Sequence, residues 1–370
     1  MKGRRIAFLV LVFVLVISST RLTFGESIDS VRQDYPKVLM FSAMDIAYLA
    51  DSSRFWGGRV GINGFILSYL ADWWTNKEKL FENVLIITEL NKKGSPYGVD
   101  QNFIKVALGY GNLPNWLDDK EWAVIINNFK NIGELIKQSG TRGIAIDTEP
   151  YVIPLFDSTA DRFKTNDKNI LKSKVYQRGK QIMQVLAEVS PDIEVMILPE
   201  GAFLWFTESH YRTYELWIDF FNGMASVKNK NGIVVASERP YSVTTKDTIN
   251  YIYNLNNKTM QEHVENRDFW QQKCSTALGM WPLGKTYSDK SARYSVGQFE
   301  EQYIQSTALS PKYVWIYDHG TAWFQMKKEE VDKYTSNQRI IWNKEDQVLP
   351  TDPAILDYYD VVKRKRSLKK

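Results

Sequence analysis

Cysteine and histidine are scarce in this sequence, which contains one cysteine, Cys274, and three histidines, His210, His263 and His319. A single cysteine cannot form a disulfide within the chain, so an exported product has to depend on its core for stability. No two histidines stand at a ligand spacing such as His-x-x-x-His, which argues against a zinc centre. A carboxylate-bound Mg²⁺ or Ca²⁺ is left as an alternative, and no metal or cofactor is expected.

Motifs for nucleotide binding and for a nucleophilic serine are also missing. No Gly-x-x-x-x-Gly-Lys-Ser/Thr sequence occurs, and the glycine cluster at 57–64 lacks the Gly-x-Gly-x-x-Gly order of dinucleotide-binding folds. No Gly-x-Ser-x-Gly sequence occurs either. Cys274 begins a predicted strand, which is the wrong end for a site in a barrel. A nucleotide site and a serine or cysteine nucleophile are therefore poorly supported.

Basic residues are concentrated at the two ends of the chain. Residues 1–25 combine a basic start, the apolar run Ile6–Ile17 and small residues before Gly25, which is the pattern of a secretory signal peptide. This pattern predicts a secreted, periplasmic or cell-envelope protein, with an uncleaved membrane anchor as the alternative. Residues 363–370 carry six basic side chains and are predicted to form a disordered tail, with weak adhesion to anionic surfaces as a lesser role.

The formal net charge of +4 comes entirely from these two ends. They contain ten basic residues and no acidic ones, so residues 26–362 carry a formal charge of about −6. A mildly acidic body does not suit a groove that binds nucleic acid. The chain is 44% hydrophobic and 14% aromatic, and residues 35–359 show no Gly/Ser/Pro-rich linker and no repeat. Residues 26–362 are therefore predicted to form a single domain.

Short apolar runs alternate with helical patterns along this domain. The segment Lys77–Lys93 contains a Val-Leu-Ile-Ile run but is interpreted as a helix, since a strand there would leave the next apolar run without a preceding helix. Eight strands that alternate with helices predict an α/β fold, the (β/α)₈ TIM barrel, with an open doubly wound sheet as the competitor. The predicted strands are Val38–Ser42, Val60–Leu67, Phe103–Gly109, Gly143–Asp147, Glu194–Pro199, Gly232–Ser237, Ser275–Trp281 and Tyr313–Tyr317.

The fourth predicted strand ends in two carboxylates, Asp147 and Glu149. Residues two apart on a strand share a face, and the carboxyl ends of barrel strands form the active-site mouth. Two carboxylates that lie close together with little solvent tend to leave one of them with a raised pKa, which suits a proton donor. The structural alternative is a cap for the next helix or a salt bridge to a surface lysine.

Carboxylates and aromatic rings follow the other predicted strands as well. Aromatic rings pack against the C–H faces of sugars while carboxyl groups handle hydroxyls and the glycosidic oxygen, so the combination predicts a carbohydrate substrate. The acids expected at the mouth besides the first pair are Glu200, Glu238 and Asp318. The expected substrate-binding residues are Asn63, Tyr110, Tyr151, Tyr241, Trp281, Tyr317, Asp318 and Trp323.

The runs Gly143–Tyr151 and Tyr313–Tyr317 resemble the (β/α)₈-barrel glycoside hydrolases, in particular bacterial glycosidase-like barrels. Asp147-x-Glu149 is similar to the end of the chitinase-like signature, in which the final Glu is the acid and the preceding Asp supports a neighbouring N-acetyl group. Arg142 and Ala145 occupy the earlier acidic positions of that signature. This departure counts against chitinase activity.

The retaining barrel glycosidases offer a second resemblance, with an acid after strand four and a nucleophile after strand seven. Glu149 matches the acid, but Thr148 stands where an Asn is expected. The seventh strand ends in Met280-Trp281-Pro282 and supplies no carboxylate. The nucleophile position of that family is therefore empty in this chain.

The resemblance implies a glycoside hydrolase with Glu149 as general acid and Asp147 tuning it. The partner carboxylate then comes from Glu200, Glu238 or Asp318, and Glu238 is favoured because it stands at a strand end beside Arg239. A surface pair of Glu238 with Arg239 is the structural alternative. The functional alternative is a barrel that binds glycans without cleaving them, with Trp281, Tyr317 and Trp323 as platforms.

Overall fold

Eight parallel strands form a closed barrel in the computed structural model of this chain, which describes residues 35–108, 113–149, 154–200, 214–283, 294–318, 323–324, 333 and 354–367. Each strand pairs with its sequence neighbours, and the last strand pairs with the first. The predicted (β/α)₈ barrel is confirmed, and the open-sheet alternative is wrong. The strands are β1 (Lys37–Ser42), β2 (Gly64–Asp72), β3 (Phe103–Ala107), β4 (Gly143–Asp147), β5 (Glu194–Leu198), β6 (Ile233–Ser237), β7 (Ser275–Met280) and β8 (Tyr313–Tyr317).

Seven of the predicted strands agree with these bounds to within two residues, but the second is wrong at both ends. Arg54–Val60 forms a π-helical segment that ends at Gly61 in the left-handed conformation, and β2 begins only at Gly64. Val60 and Ile62 are buried in the core although neither lies on the strand. A short run of buried apolar residues looks the same in the sequence whether it forms a helical segment or a strand, which explains the error.

Helices cover the outside of the barrel. The segment interpreted as helical, Lys77–Lys93, is confirmed as two helices, and Asp118 caps the long helix before β4 by accepting hydrogen bonds from the backbone N–H groups of Lys120 and Glu121. The helices are α1 (Ile46–Asp51), α2 (Lys77–Phe81), α3 (Val84–Gly94), α4 (Asp119–Ser139), α5 (Lys168–Val189), α6 (Trp217–Ala225), α7 (Lys246–His263), α8 (Arg267–Lys273), α9 (Val296–Leu309) and α10 (Ile355–Ser367). Within the described ranges, no helix is both long and apolar enough to span a membrane.

Alternate side chains of the strands face the barrel lumen and the helices. Phe103 on β3 and Ala145 on β4 belong to the lumen cluster, whereas Ile104 and Ile144 belong to the larger cluster beneath the helices. Because strand side chains alternate, Lys105 and Asp147 also face the lumen. The alternation of side chains along β3 and β4 therefore places Lys105 and Asp147 in the carboxyl-terminal half of the lumen.

The opposite, amino-terminal end of the lumen is closed by a buried ion cluster around Glu194. One carboxylate oxygen of Glu194 lies 2.5 Å from Arg142 Nη2 and the other lies 2.5 Å from Lys312 Nζ. The Tyr313 hydroxyl donates to Gln101 Oε1 at 3.0 Å in the same layer. Residues at this end of a TIM barrel serve stability and not catalysis.

The final helix α10 runs through Lys363–Ser367, which the sequence predicted to be part of a disordered tail. Most of its apolar side chains, among them Tyr358 and Val362, are buried, and Arg59 pairs with Asp360 at 2.5 Å. Lys and Arg are good helix formers and are favourable at the carboxyl end of a helix, so the helix continues past the apolar residues. Residues 368–370 and the predicted signal peptide, residues 1–25, lie outside the described residues.

Candidate active site

Lys105 and Asp147 form an ion pair at the carboxyl-terminal mouth of the barrel. Lys105 Nζ lies 2.5 Å from Asp147 Oδ2 and 5.0 Å from the centre of the Phe41 ring, so a cation–π contact supports the pair. The other carboxylate oxygen, Asp147 Oδ1, accepts a hydrogen bond from the backbone N–H of Glu149 at 3.0 Å. Asp147 is therefore held on both oxygens and fixes the backbone that carries Glu149.

Thr148, between the two acids, anchors the end of β4 on its outer side. Its backbone N–H and its hydroxyl both donate to the carbonyl of Leu198, at 2.6 and 2.9 Å. The Trp217 indole N–H donates to the Thr148 hydroxyl at 3.0 Å. The strand end is thus locked to β5 and α6 on one side while Asp147 points into the mouth on the other.

Glu200 lies fully buried just past β5 and holds the end of β6. Its two carboxylate oxygens accept hydrogen bonds from the Ser237 hydroxyl at 2.7 Å and from the backbone N–H of Glu238 at 2.9 Å. Burial raises the pKa of Glu200 to about 7, although both hydrogen bonds oppose the shift. With both oxygens occupied and no exposed surface, Glu200 is placed to position Glu238 and not to contact a substrate.

Glu238 is the carboxyl group that interacts most directly with the acids of β4. Burial of the carboxyl group raises its pKa well above the ordinary value, and the negative charges of Glu149 and Asp147 raise it further, while Lys105 opposes the shift. The residue keeps some exposed surface at the mouth. Glu238, just past β6, therefore lies near enough to Glu149 and Asp147 for their charges to raise its pKa, and we call Glu149 and Glu238 the carboxyl pair.

Aromatic rings line the mouth beside this pair, and we call Phe41, Tyr241, Trp281, Trp315 and Tyr317 the mouth aromatic cluster. Tyr241 and Tyr317 stack with ring centres 5.5 Å apart and planes at 13°, and Trp281 meets both of them edge-on. The Tyr241 hydroxyl has no hydrogen-bond partner within the described ranges. Burial is the main cause that raises the Tyr241 pKa, and the nearby charge of Glu238 raises it further. These rings form a wall beside the carboxyl pair.

The turn that carries Tyr241 is fixed from outside the barrel. Gln302 on α9 donates from Nε2 to the carbonyls of Pro240 and Val243, at 2.7 Å each. The Tyr294 hydroxyl donates to the carbonyl of Tyr241 at 2.5 Å. Tyr241 is therefore held rigidly by backbone contacts while its ring faces the mouth.

The structure does not bring Asn63 to the mouth. Asn63 precedes β2, at the amino-terminal end of the barrel, where its Oδ1 accepts from the backbone N–H of Val38 at 3.0 Å and its Nδ2 donates to the carbonyl of Gly98 at 3.3 Å. The prediction placed the residue at the mouth because it placed the second strand too early. Asn63 thus joins the start of β1 to the loop before β3, at the opposite end of the lumen.

Asp318 and Trp323 also lie apart from the carboxyl pair. Asp318 follows Val314 and Ile316 on the outer side of β8, and burial raises its pKa well above the ordinary value. Trp323 is fully buried against Phe299 and Tyr359, with ring centres 5.8 and 6.0 Å apart. Neither side chain shares the surface of the mouth aromatic cluster, so Trp323 is a core residue and not a glycan platform.

Two mouth residues were missed from the sequence. Lys105 stands within an apolar strand, and Tyr214 precedes α6, away from every predicted strand end. Tyr214 is buried close to all four mouth acids, and burial and these charges raise its pKa. Tyr110 and Tyr151 lie outside the described residues. A lysine at a lumen-facing position of β3 was the one signal that could have revealed the ion pair.

No evident metal-binding site occurs among the residues that the structure describes. Within the described ranges, no group of three or more His, Cys, Asp and Glu side chains is arranged to hold a metal ion. Cys274 caps α8 at the start of β7, and burial raises the pKa of its thiol to about 12.

Comparison with known proteins supports the fold. No protein-family model and no curated protein matches the chain. The crystal structure of GH5_18 from Streptomyces cattleya in complex with GlcNAc is similar with a TM-score of 0.52 and 9% identity, over 91% of this chain and 82% of that one. A GH18 chitinase from Pseudoalteromonas aurantia gives 0.46 and 12% over 76% and 93% of the two chains. A D-psicose 3-epimerase from Clostridium cellulolyticum H10 gives 0.44 and 11% over 89% and 98%.

These likenesses define the class of fold. The chain is a (β/α)₈ barrel, and it shares this architecture with the GH5_18 structure. At identities near 10% the fold alone is shared, so the reaction has to be argued from the mouth of this barrel.

Proposed function

We propose that this protein is a glycoside hydrolase whose catalytic carboxyl groups are Glu149 and Glu238. The proposal is supported by the positions of these two acids, one after β4 and one after β6, near enough for the charge of Glu149 to raise the Glu238 pKa, and by the stacked aromatic rings of the mouth. Hydrolysis of a glycosidic bond needs one protonated carboxyl group to protonate the leaving oxygen and one carboxylate to act as base or nucleophile. A sugar ring packed against Tyr317 or Tyr241 would lie within reach of both acids.

The proton belongs on Glu238 in the free enzyme under this proposal. Burial and the charges of Glu149 and Asp147 favour the neutral form of Glu238, which then donates its proton to the departing oxygen. Glu149 is the carboxylate that activates water or attacks the anomeric carbon. This assignment reverses the roles implied by the family resemblance, in which Glu149 is the acid, and it gives Glu200 a positioning role.

The test compares Glu149→Gln and Glu238→Gln on natural oligosaccharides and on aryl glycosides with a good leaving group. We expect both variants to lose natural-substrate turnover by at least about a hundredfold. Glu238→Gln should keep most activity on activated aryl glycosides, which need no proton, and Glu149→Gln should not. Glu134→Gln, which alters a partly exposed carboxylate on α4 paired with Lys77, is the matched control and should behave as wild type.

The outcomes separate the parts of the proposal. Retained aryl-glycoside activity in Glu149→Gln, with loss in Glu238→Gln, would return the acid role to Glu149 while keeping the hydrolase. Wild-type turnover of natural substrates by both variants would overturn the assignment of these two carboxyl groups, and the absence of any turnover by the wild-type protein would overturn the hydrolase itself.

A glycan-binding barrel without activity is the second candidate, and the mouth aromatic cluster favours it. This function predicts saturable oligosaccharide binding that both carboxyl substitutions leave intact, with no reducing ends released.

A further inference from the structure

Strand β2 carries a bulge at the barrel mouth. Leu67 pairs with Ile104 of β3, and the next pair joins Ala71 to Val106. Three residues of β2, Ser68–Leu70, therefore stand opposite the single residue Lys105. Bulges are frequent at barrel rims and beside active sites, where they turn a side chain in a new direction.

Tyr69 occupies the centre of this bulge in the left-handed backbone conformation, with φ of 61°. This conformation is unfavourable for a bulky L-residue, and glycine or asparagine would adopt it at lower cost. Among the described residues, the only other non-glycine residue with positive φ is Lys228, with φ of 52°. A tyrosine kept in a costly conformation points to a role for its side chain.

The bulge changes where Tyr69 points. Phe65 and Leu67 face the helices, so a regular strand would turn Tyr69 toward the helices as well. Instead Tyr69 is 41% exposed, and it is among the neighbours that raise the Tyr317 pKa, after burial and the charge of Glu238. Tyr69 thus places an exposed ring near the mouth aromatic cluster, in the part of β2 that lies opposite Lys105.

We propose that the bulge holds Tyr69 at the outer rim of the mouth so that its ring stacks on a sugar unit of an oligosaccharide whose neighbouring unit lies at the catalytic carboxyl groups. The inference rests on the proposed function and names its substrate class: a chain of at least two sugars and not a simple monoglycoside. Glu149 and Glu238 are only partly exposed whereas Tyr69 is 41% exposed, so in this proposal Tyr69 contacts a part of the substrate remote from the bond that breaks. We expect this contact to be equally strong in the ground state and the transition state, so that its removal raises KM and leaves kcat unchanged.

The experiment uses Tyr69→Gly and Tyr69→Phe in the full chain, with cellotetraose, mannotetraose and chitotetraose and with 4-nitrophenyl monoglycosides. Tyr69→Gly removes the ring and suits the left-handed backbone, so its melting temperature should equal or exceed that of wild type. Its KM or Kd for the tetrasaccharide that wild type uses should rise about tenfold with little change in kcat, while the monoglycoside KM stays unchanged. Tyr69→Phe keeps the ring and should keep wild-type affinity.

Lys228→Gly is the matched control, because Lys228 has the same backbone conformation in the loop after α6, at the other end of the barrel. It should gain stability without any change in KM or Kd. Wild-type affinity in Tyr69→Gly would overturn the inference while leaving hydrolysis by the carboxyl pair intact. Tetrasaccharide binding without cleavage would overturn the proposed hydrolysis. The role of Tyr69 would then be decided by the Kd values of wild type and Tyr69→Gly. Binding of none of the three tetrasaccharides would count against both.

Discussion

Lys105 on β3 and Asp147 on β4 form an ion pair inside the barrel mouth, with 2.5 Å between Lys105 Nζ and Asp147 Oδ2 and with only 11% and 6% of their side chains exposed. The same aspartate accepts the backbone N–H of Glu149, so the pair links a buried positive charge to the position of a proposed catalytic acid. Removal of one partner would leave an uncompensated charge in a poorly solvated place.

Lys105→Met should therefore lower the free energy of unfolding by about 3–5 kcal/mol, measured by urea denaturation. Turnover should fall as well, because Asp147 loses the contact that orients it beneath Glu149. Lys77→Met breaks an ion pair on the protein surface, with 58% and 29% of the side chains exposed, and should cost no more than about 1 kcal/mol. Equal losses in the two variants would contradict the buried character of the Lys105–Asp147 pair.

Glu200 predicts a pH dependence of stability. Its pKa is about 7 in the folded protein against an ordinary value of 4.5, so the folded state keeps a proton that the unfolded chain releases between these values. The free energy of unfolding contributed by Glu200 is thus fully present below about pH 4.5 and is lost as pH rises through 7, by about 3 kcal/mol. The measurement is the difference in free energy of unfolding between wild type and Glu200→Gln from pH 4 to pH 8. A difference that stays constant over this range would refute the raised pKa.

The strands were predictable because their apolar runs are compact and bounded by turn or helix signals. β4 and β8 agree with the sequence at both ends, and Asp147 was placed correctly in the lumen-facing end of β4. Asn63 was misplaced because a π-helical segment buries the same residue types as a strand. The correct and the wrong predictions have the same cause: the local pattern of apolar residues indicates which residues are buried but does not indicate their backbone conformation.

The contacts between strands were not predictable in the same way. Lys105 meets Asp147 through the register of β3 against β4, in which Ala107 lies beside Asp147. The hydrogen bonds of Glu200 with Ser237 and Glu238 join residues 37 and 38 positions apart. The bulge at Tyr69 likewise exists only in the pairing of β2 with β3. Such features are set by closure of the barrel, which no local pattern records.

Glu149 should control the protonation of Glu238. The negative charge of Glu149 is one of the causes that raise the Glu238 pKa, so Glu149→Gln should lower that pKa. Protonated Glu238 would then be lost at a lower pH than in wild type. Infrared difference spectra of the protonated carboxyl band, recorded against pH, measure this shift, and Glu238→Gln identifies the band by its disappearance. An unchanged or raised midpoint in Glu149→Gln would show that the two acids do not interact as the structure places them.

Trp281 and Trp323 provide a matched pair of tryptophans with opposite expected effects. Trp281 is partly exposed at the mouth and meets Tyr317 edge-on with ring centres 5.1 Å apart, whereas Trp323 is fully buried against Phe299 and Tyr359. Trp281→Ala should weaken tetrasaccharide binding severalfold in calorimetry while it costs about 1 kcal/mol of stability or less. Trp323→Ala should cost about 3–5 kcal/mol in denaturation because it leaves a cavity, and the molecules that remain folded should bind with wild-type affinity. Weakened binding in folded Trp323→Ala, with none in Trp281→Ala, would move the sugar-binding surface to the α10 side of the barrel and away from the carboxyl pair.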